Sequence, residues 1–257
     1  MRRIDFPVSR DQHSGSSPAT PGIRPLCRSK MRMDGEEYLI TGTIRSMEDL
    51  ALMIREAGIL PFFANAVKGW SVEEHIDPAV WFTDRDGPWE WKGRLASGRV
   101  CVYGKLIRGR AAFVSPEWFA DLANWRRNGY DWEGWAADGN AQYNDILLVR
   151  YMESHPGVLA RQAKRECGFS SGYDAVLTRL QMQTFVVLSD FRYSVSKQGI
   201  PYGWGNAVID LADRWLEEDA LFVPGDRQPM DSFERMIMHL KEVLPQAEEA
   251  VLRKELK

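Results

Sequence analysis

The chain has 257 residues, of which 44% are hydrophobic and 27% are charged, and its formal net charge is −3. This composition is typical of a globular protein and excludes a disordered or collagen-like chain. No apolar run reaches the roughly 18 residues of a membrane span. Because the N-terminus also lacks the apolar core of a signal peptide, we expect a cytoplasmic protein with no membrane partner. The 3 cysteines are far apart, which argues against a disulfide framework or a zinc site.

Tryptophan and charge are distributed unevenly along the chain. Eight of the 10 tryptophans fall between Trp70 and Trp135. Residues 99–130 carry six Lys/Arg side chains against two acidic ones, whereas residues 207–257 carry seven against twelve. The negative net charge therefore excludes a uniformly basic nucleic-acid-binding protein, but it is compatible with a local basic face.

The N-terminal part begins with a segment that has no periodic apolar pattern. Residues 1–33 are rich in Ser, Pro, Gly and Arg, and we predict a disordered tail there. Ser46-Met-Glu-Asp49 resembles a capping box and predicts a helix whose C-terminal cap is Gly58. Residues 59–98 are aromatic and rich in Pro and Gly, and their pattern favours no single secondary structure.

A β-hairpin and a helix are predicted next. Residues 99–106 and 110–114 flank Ile107-Arg108-Gly109, a pattern that predicts two strands joined by a glycine-bearing turn. Ser115-Pro-Glu predicts the start of a helix, with Ser as the cap and Pro at the first helical position. The residues that recur on one face of this helix are Trp118, Leu122 and Trp125.

The next segment predicts three helices followed by a pair of strands. The helices are Tyr143–Glu153, Val158–Cys167 and one that begins at Ser171-Gly-Tyr-Asp174. The strands are Phe191–Ser196 and Tyr202–Ile209, with a turn at Lys197-Gln198-Gly199. This order is the layout of a winged helix-turn-helix. Further helices are predicted at Leu211–Glu218, at Ser232–Leu244 and from Pro245 onward.

We therefore predict an α+β fold. In it, an aromatic-rich N-terminal α/β portion with a β-hairpin packs on a winged helix-turn-helix, which C-terminal helices follow. The predicted units are a disordered tail (1–33), the aromatic-rich portion (34–140), the winged helix-turn-helix (141–210) and the C-terminal helices (211–257).

Common catalytic and metal-binding motifs are absent from the sequence. The 4 histidines are dispersed without zinc-ligand spacing. Neither a nucleophile elbow nor a phosphate-binding glycine loop occurs. His75 lies near Glu73, Glu74 and Asp77, which fits either a carboxylate-rich pocket or a solvated loop. Tyr202-Gly-Trp-Gly-Asn206 lacks the third glycine of a nucleotide fingerprint, and we predict no metal and no cofactor.

Basic and aromatic side chains indicate where a nucleic acid would bind, because Lys and Arg contact phosphates and aromatic rings stack on unpaired bases. The candidates in the basic stretch are Lys105, Arg108, Arg110, Arg126 and Arg127. Those on the predicted winged helix-turn-helix are Arg161, Lys164, Arg165, Arg179, Arg192 and Lys197. The candidate pocket residues are His75, Trp89, Glu90, Trp91, Tyr202 and Trp204. Core packing is the alternative for the tryptophans, and a solvated surface is the alternative for the basic residues.

The most suggestive motif is Leu180-Gln-Met-Gln183. On a helix, Gln181 and Gln183 are ~200° apart, whereas in an extended segment both amides share one face. The motif can therefore direct two amides at one ligand only if the third helix ends at or before Gln181. An ordinary helix with one exposed and one half-buried glutamine is the alternative.

Several motifs, in order along residues 45–257, resemble those of a family of bacterial proteins called AlkZ-related. In the first half they are Pro61-Phe-Phe, Gly69-Trp-Ser-Val-Glu-Glu-His75, Gly87-Pro-Trp-Glu-Trp-Lys-Gly93 and Tyr103-Gly-Lys105. Further along they are Ser115-Pro-Glu-Trp-Phe119, Asn124-Trp-Arg-Arg-Asn-Gly-Tyr-Asp131, Leu180-Gln-Met-Gln183 and Tyr202-Gly-Trp-Gly205.

The family name implies a distant relation to the AlkZ and YcaQ winged-helix DNA glycosylases, which excise bulky alkylated bases or unhook interstrand crosslinks. Those enzymes use a Gln-x-Gln or Gln-x-Asp motif to position a water at the glycosidic carbon. The resemblance assigns this catalytic role to Gln181 and Gln183, and it implies a DNA glycosylase-like repair protein whose partner is double-stranded DNA. Those glycosylases carry several winged helices around a basic channel, whereas this sequence predicts one.

Two other functions are compatible with the same sequence. One is a non-catalytic winged-helix module that binds DNA or another protein. The other is a small-molecule-binding protein that uses the tryptophan-rich segment.

Overall fold

The computed structural model has a mixed α+β fold, and it describes residues 32–33, 36–37, 42–81, 86–195, 197–198, 201–216 and 227–257. For residues 32–33, 36–37, 195 and 201–204 it describes the strand but not the side chains. The strands in these residues are β1 (Arg32–Met33), β2 (Glu36–Glu37), β3 (Ile59–Pro61), β4 (Val102–Ile107), β5 (Arg110–Val114), β6 (Val158–Leu159), β7 (Val186–Val195) and β8 (Pro201–Leu211).

Twelve helices lie in the same described residues. Those before residue 140 are α1 (Met47–Ala57), α2 (Val72–His75), α3 (Pro78–Trp81), α4 (Pro88–Ser97), α5 (Pro116–Arg126) and α6 (Trp132–Ala137). Those after it are α7 (Tyr143–Ser154), α8 (Ala160–Glu166), α9 (Tyr173–Met182), α10 (Ala212–Trp215), α11 (Pro229–Val243) and α12 (Glu249–Leu256). None of them, within the part of the chain that the structure describes, has the length and apolar character needed to cross a bilayer.

Six strands form one antiparallel sheet in the order β3-β5-β4-β7-β8-β6. Strand β4 of the N-terminal hairpin pairs with β7 at Tyr103 and Leu188. The sheet therefore continues from the aromatic-rich half of the chain into the half that contains α7, α8 and α9. Strands β1 and β2 pair with each other in a separate two-stranded sheet.

Local signals account for the first helix and the hairpin. The Ser46 Oγ accepts a hydrogen bond from the Asp49 N–H at 3.2 Å, and the Asp49 carboxylate accepts one from the Ser46 N–H at 3.1 Å. The predicted capping box is thus confirmed, and Gly58 ends α1 with a φ of 70°. Arg108 and Gly109 both have positive φ, at 50° and 70°, as a two-residue hairpin turn of type I′ requires.

The helices and strands predicted for the second half are present, with shifted boundaries. Val158 and Leu159, predicted as the start of a helix, form β6 instead and pair with β8. Strand β7 begins at Val186, five residues before the predicted start. The sequence does not predict these five residues as a strand because their apolar run lacks the alternation that identifies one. The N-cap of α9 is Gly172 rather than Ser171.

Apolar side chains form two clusters. The first joins the N-terminal elements to the C-terminal helices, and it includes Trp70, Trp91 and Trp118 together with Phe233 of α11. The second lies among α7, α8, α9 and the start of β7. Most tryptophans of the aromatic-rich segment therefore contribute to the core, and Trp125 packs on Phe233 with ring centroids 4.5 Å apart.

The chain ends differ in part from the predicted boundaries. Helix α10 is shorter than the predicted Leu211–Glu218, and residues 217–226 lie outside the described residues. Helix α12 begins at Glu249, four residues after Pro245. Residues 1–31 of the predicted tail lie outside the described residues, whereas Arg32 and Met33 form β1.

Candidate nucleic-acid interface

Basic and aromatic side chains meet in a groove of about 480 Å³ beside the β4–β5 hairpin, which we name the hairpin groove. Tyr103 and Lys105 of β4, Arg110 of β5, Lys92 of α4 and Phe191 of β7 line it. The other lining residues are Phe63, Gly104, Gly109, Ala111 and Leu188. None of these ten described residues carries a carboxylate. Three cations and three aromatic rings thus line one space, an arrangement suited to a nucleic acid.

The tight turn of the hairpin places two of the cations close together. Arg110 follows directly after the turn, where it pairs with Ile107. Its side chain is exposed and has no hydrogen bond or ion pair in the part of the chain that the structure describes. Lys105 is also exposed, and its Nζ donates to the Thr178 hydroxyl at 3.2 Å. Neither charge is neutralised by a carboxylate, so both are available to an anion.

Lys92 is the third cation and is half-buried in the groove wall. Its Nζ lies 4.6 Å from the ring centroid of Phe191 and donates to the backbone carbonyl of Trp89. Helix α4 can approach β7 this closely because Gly93 has no side chain, since a Cβ there would lie 3.3 Å from Phe191. Burial lowers the pKa of Lys92 to about 8, although the neighbouring Glu90 carboxylate acts in the opposite direction.

A second cleft, of about 340 Å³, adjoins the groove and shares Phe63, Arg110 and Ala111 with it. Arg108 lines this cleft, and its Nε lies 3.8 Å from the Glu255 carboxylate. Because Glu255 offsets the charge of Arg108, the second cleft is less suited to binding phosphate than the hairpin groove.

The Gln-x-Gln motif lies at the end of α9, which continues through Met182. Gln181 is 1% exposed; its Oε1 accepts a hydrogen bond from the Lys105 N–H at 2.8 Å, and its Nε2 donates to the Leu177 carbonyl at 3.1 Å. Gly104 makes this approach possible, because a Cβ there would lie 2.8 Å from the Gln181 Oε1. Gln181 thus joins α9 to the strand that lines the groove.

Gln183 is the C-cap residue of α9, with φ of −80° and ψ of 0°. The motif is therefore not extended, and helical geometry directs the Gln181 and Gln183 side chains to different sides. The Gln183 Oε1 is buried and has no hydrogen-bond partner among the described residues. An unpartnered buried oxygen costs about 1–3 kcal/mol, which a bound water or ligand would recover.

Arg126 and Arg127, predicted from the sequence as phosphate contacts, hold the end of α9. Arg126 donates to the Met182 carbonyl at 3.0 Å, and burial lowers its pKa to about 10. Arg127 is buried and donates to the hydroxyl and the carbonyl of Thr184 at 3.1 and 2.7 Å. These contacts fix the backbone on both sides of Gln183.

The remaining predicted nucleic-acid contacts are spread over the surface. Arg179 forms an ion pair with the buried Asp145 carboxylate at 2.5 Å, and Arg165 pairs with its neighbour Glu166 at 2.7 Å. Arg161, Lys164, Arg192 and Lys197 are exposed on α8, β7 and the turn that follows β7. Of the residues predicted to bind nucleic acid, the hairpin groove brings Lys105 and Arg110 together.

The predicted pocket residues whose side chains the structure describes differ in their burial and partners. Trp91 is buried, whereas Glu90 is exposed and its carboxylate accepts the Gly87 N–H at 3.1 Å. Trp89 is half-buried and packs on Phe62, with ring centroids 5.0 Å apart. Strand β8 contains Tyr202 and Trp204, whose side chains lie outside the described residues.

His75 is the last residue of the short helix α2 and contacts the backbone of neighbouring loops. Its ring nitrogens lie 2.9 Å from the Gly69 carbonyl and 3.3 Å from the Gly42 carbonyl. Glu73 and Glu74, also on α2, accept hydrogen bonds from the backbone N–H groups of Ala64 and Gly69. In the described part of the chain, no group of three or more His, Cys, Asp or Glu side chains could hold a metal ion.

The sequence does not predict four of the residues that line the groove, namely Phe63, Lys92, Tyr103 and Phe191. A signal for Lys92 was present, because it lies four residues from both Pro88 and Ala96, and the helical period places it beside the buried face of α4. No local pattern in the sequence indicates that Phe191 faces this helix.

A family model described as AlkZ related matches residues 44–257, which include the hairpin groove and the Gln-x-Gln motif. Comparison with curated proteins and with solved structures returned no match. The family description indicates a relation to AlkZ-like DNA repair proteins. Because the match covers most of the sequence, the chain belongs to the AlkZ-related family.

Proposed function

We propose that the protein is a DNA-binding, glycosylase-like repair protein that hydrolyses the N-glycosidic bond of alkylated bases, with the hairpin groove as a DNA contact. The observation that carries this proposal is the groove itself, where Lys92, Lys105 and Arg110 line a space without carboxylates. Lys and Arg contacts to phosphates position a nucleic acid, and the walls formed by Tyr103 and Phe191 provide rings for an unpaired base. The family relation supports DNA as the ligand.

In this proposal the two glutamines have different roles. The Gln183 Oε1 is buried and has no partner among the described residues, and on DNA binding the side chain turns so that this oxygen accepts a hydrogen bond from the attacking water and orients it toward the sugar C1′. Gln181, whose amide is bonded within the chain, is a positioning residue that holds the end of α9. The water oxygen bonds to C1′ as the bond to the base nitrogen breaks, the cationic base leaves neutral with that electron pair, and a proton passes to solvent.

Residues 143–211 supply a second DNA contact in the form of a winged helix-turn-helix. The order α7-β6-α8-α9-β7-β8 and the pairing of β6 with β8 support this assignment. The exposed Arg161 and Lys164 of α8, and Arg192 and Lys197 of the β7–β8 hairpin, are then available to phosphates.

DNA binding is tested by fluorescence anisotropy on a duplex that contains 7-methylguanine, at several salt concentrations. We expect the variant Lys105→Ala/Arg110→Ala to bind about tenfold more weakly and to reduce the slope of log K against log salt by about 1.8. Arg55→Ala/Lys68→Ala, which removes two exposed charges outside the groove, is the matched control. Equal losses in the two double variants would contradict the groove as the contact.

Catalysis is tested by measuring the release of 7-methylguanine from the same duplex. We expect Gln183→Ala to reduce the release rate about 100-fold without changing the unfolding midpoint. Gln162→Ala removes another half-buried glutamine and should release the base at the wild-type rate. Release by the wild-type protein at the background rate would exclude glycosylase activity on this base.

One observation favours a second candidate, a non-catalytic DNA-binding module. The side-chain amide of Gln181 accepts a hydrogen bond from the Lys105 N–H and donates one to the Leu177 carbonyl, as in a residue whose role is structural. This candidate predicts salt-dependent affinity for DNA with no base release, and affinity that Gln183→Ala leaves unchanged.

A further inference from the structure

We propose that Lys92 is a nucleophile that forms an imine with an aldehyde held in the hairpin groove, and that this aldehyde belongs to an abasic deoxyribose in DNA. The inference rests on the proposed function in one respect, the entry of DNA into the groove. It adds a covalent step and a reacting residue, neither of which the glutamine chemistry requires.

The position of Lys92 fits a nucleophile. Lys92 lines the groove and is half-buried, and its Nζ lies 5.7 and 4.6 Å from the ring centroids of Trp89 and Phe191. Its hydrogen-bond partner in the described residues is a neutral carbonyl, that of Trp89, rather than a carboxylate. The amine is thus anchored without an ion pair that would fix its charge.

The same surroundings favour the reactive form of the amine. Burial lowers the pKa of Lys92 to about 8, so a substantial fraction is neutral at a slightly alkaline pH. The neutral amine is the form that attacks a carbonyl, and desolvation against apolar side chains is an established way to produce it. Lys105 of β4, by comparison, has an exposed side chain and lacks this burial.

The other groove residues specify the kind of aldehyde. Lys105 and Arg110 are exposed cations that form no ion pair with a carboxylate among the described residues, which suits an aldehyde flanked by phosphates. Tyr103 and Phe191 supply apolar walls to a sugar that has lost its base. An abasic site combines these features, because its deoxyribose opens to an aldehyde between two phosphodiesters.

The step requires no oxidant, reductant or metal. The Nζ lone pair attacks C1′ of the open-chain aldehyde, and a proton moves from nitrogen to oxygen to give a carbinolamine. The hydroxyl then leaves as water with a proton from solvent, and the nitrogen lone pair forms the C=N bond. Addition of water reverses the reaction and returns the free amine and the aldehyde.

The test is reductive trapping with sodium borohydride, which converts the imine to a stable secondary amine. The full-length protein is mixed with a duplex that contains an enzymatically generated abasic site, and the crosslinked residue is located by peptide mass spectrometry. We expect the crosslink on Lys92. We also expect Lys92→Arg and Lys92→Met to reduce the yield about tenfold or more, while Lys68→Arg leaves it unchanged.

A duplex with a tetrahydrofuran abasic analogue, which has no aldehyde, measures affinity separately and should give no crosslink. Affinity for this duplex without a crosslink from the true abasic site would overturn the inference and leave the proposed function in place. A crosslink mapped to Lys105 or to a lysine outside the groove would also overturn it. Absence of affinity for either duplex would instead contradict the proposed function. The mapping on the wild-type protein decides the question even if a Lys92 variant fails to fold.

Discussion

The side-chain oxygen of Gln181 accepts a hydrogen bond from the backbone N–H of Lys105 at 2.8 Å. Strand β4 pairs with β7 at Tyr103, two residues earlier, so the Gln181 side chain supplies an acceptor for the backbone N–H beyond that pair. A buried backbone donor without a partner costs about 1–3 kcal/mol. Gln181 therefore stabilises the junction between the sheet and α9, whatever chemistry takes place nearby.

Replacing Gln181 by Ala should lower the free energy of unfolding by about 2–4 kcal/mol, because it leaves the Lys105 N–H unpartnered and opens a cavity. Urea unfolding followed by tryptophan fluorescence measures the change. Gln162→Ala, on the surface of α8, should stay within about 1 kcal/mol of the wild type. Coincident unfolding curves for Gln181→Ala and the wild type would show that the hydrogen bond does not matter for stability.

Gly104 and Gln181 should be energetically coupled. A Cβ at Gly104 would lie 2.8 Å from the Gln181 Oε1, so Gly104→Ala must displace the amide and should cost about 2 kcal/mol or more. In the Gln181→Ala background the clash is removed, and the same substitution should cost less by about 1 kcal/mol or more. A double-mutant cycle in urea measures this coupling, and additive effects would contradict the contact.

The ion pair between Arg179 and Asp145 joins α7 to α9. Asp145 is 1% exposed, so removing Arg179 leaves a buried carboxylate without its partner. Because Arg179 is itself 29% exposed, its removal lets water reach that carboxylate in part. We expect Arg179→Ala to lower the free energy of unfolding by about 2–4 kcal/mol, less than for a fully buried pair. Asp145→Ala/Arg179→Ala should be more stable than the sum of the single variants predicts.

Arg179 can be distinguished experimentally from the proposed DNA contacts. At temperatures where the protein is fully folded, Arg179→Met should keep the wild-type salt dependence of DNA binding. A reduction of the salt slope as large as that of Lys105→Ala would place Arg179 at the DNA instead.

Stability should fall in mildly acidic solution because of His239. Its ring stacks on Trp118 at 4.2 Å, and its Nε2 lies 3.2 Å from the Ala57 carbonyl. Burial lowers the pKa of His239 below 6.5, although the contact with Ala57 and the nearby Glu242 and Glu117 act in the opposite direction. The unfolded chain therefore binds this proton at a higher pH than the folded chain does.

As the pH falls through about 6.5, the free energy of unfolding should decrease, and the decrease should end once the folded histidine is also protonated. Thermal unfolding between pH 8 and pH 5 measures the effect. His239→Gln should show a smaller drop in Tm over this range than the wild type. Identical pH profiles for the two proteins would mean that another group causes the drop.

Signals within a few residues predicted several elements of this fold correctly. The capping box at Ser46, the turn at Arg108-Gly109 and the helix start at Pro116 each depend on backbone geometry over about four residues. The predicted start of α8 at Val158 was wrong, because Val158 and Leu159 pair with β8, a strand some fifty residues further along the chain. Pairing at that distance leaves no local pattern.

The hairpin groove depends on such distant contacts as well. Lys92 and Phe191 face each other because Gly93 lets α4 approach β7, and neither residue indicates the other in the sequence. Arg127 is a residue for which the sequence predicts a contact that distant parts of the chain replace. Its position beside Arg126 in a basic stretch favoured a phosphate contact, yet its side chain is buried on Thr184 and paired with Asp213 at 2.7 Å.

The pairing of Tyr103 with Leu188 has a consequence for how this protein can be divided. A fragment that contains residues 143–211 alone would leave β7 as an open edge, with backbone groups free to pair with another copy. Such a fragment should self-associate more readily than the intact chain. In the intact chain the β4–β5 hairpin covers this edge, so the proposed winged helix-turn-helix could not be moved to another protein without exposing it.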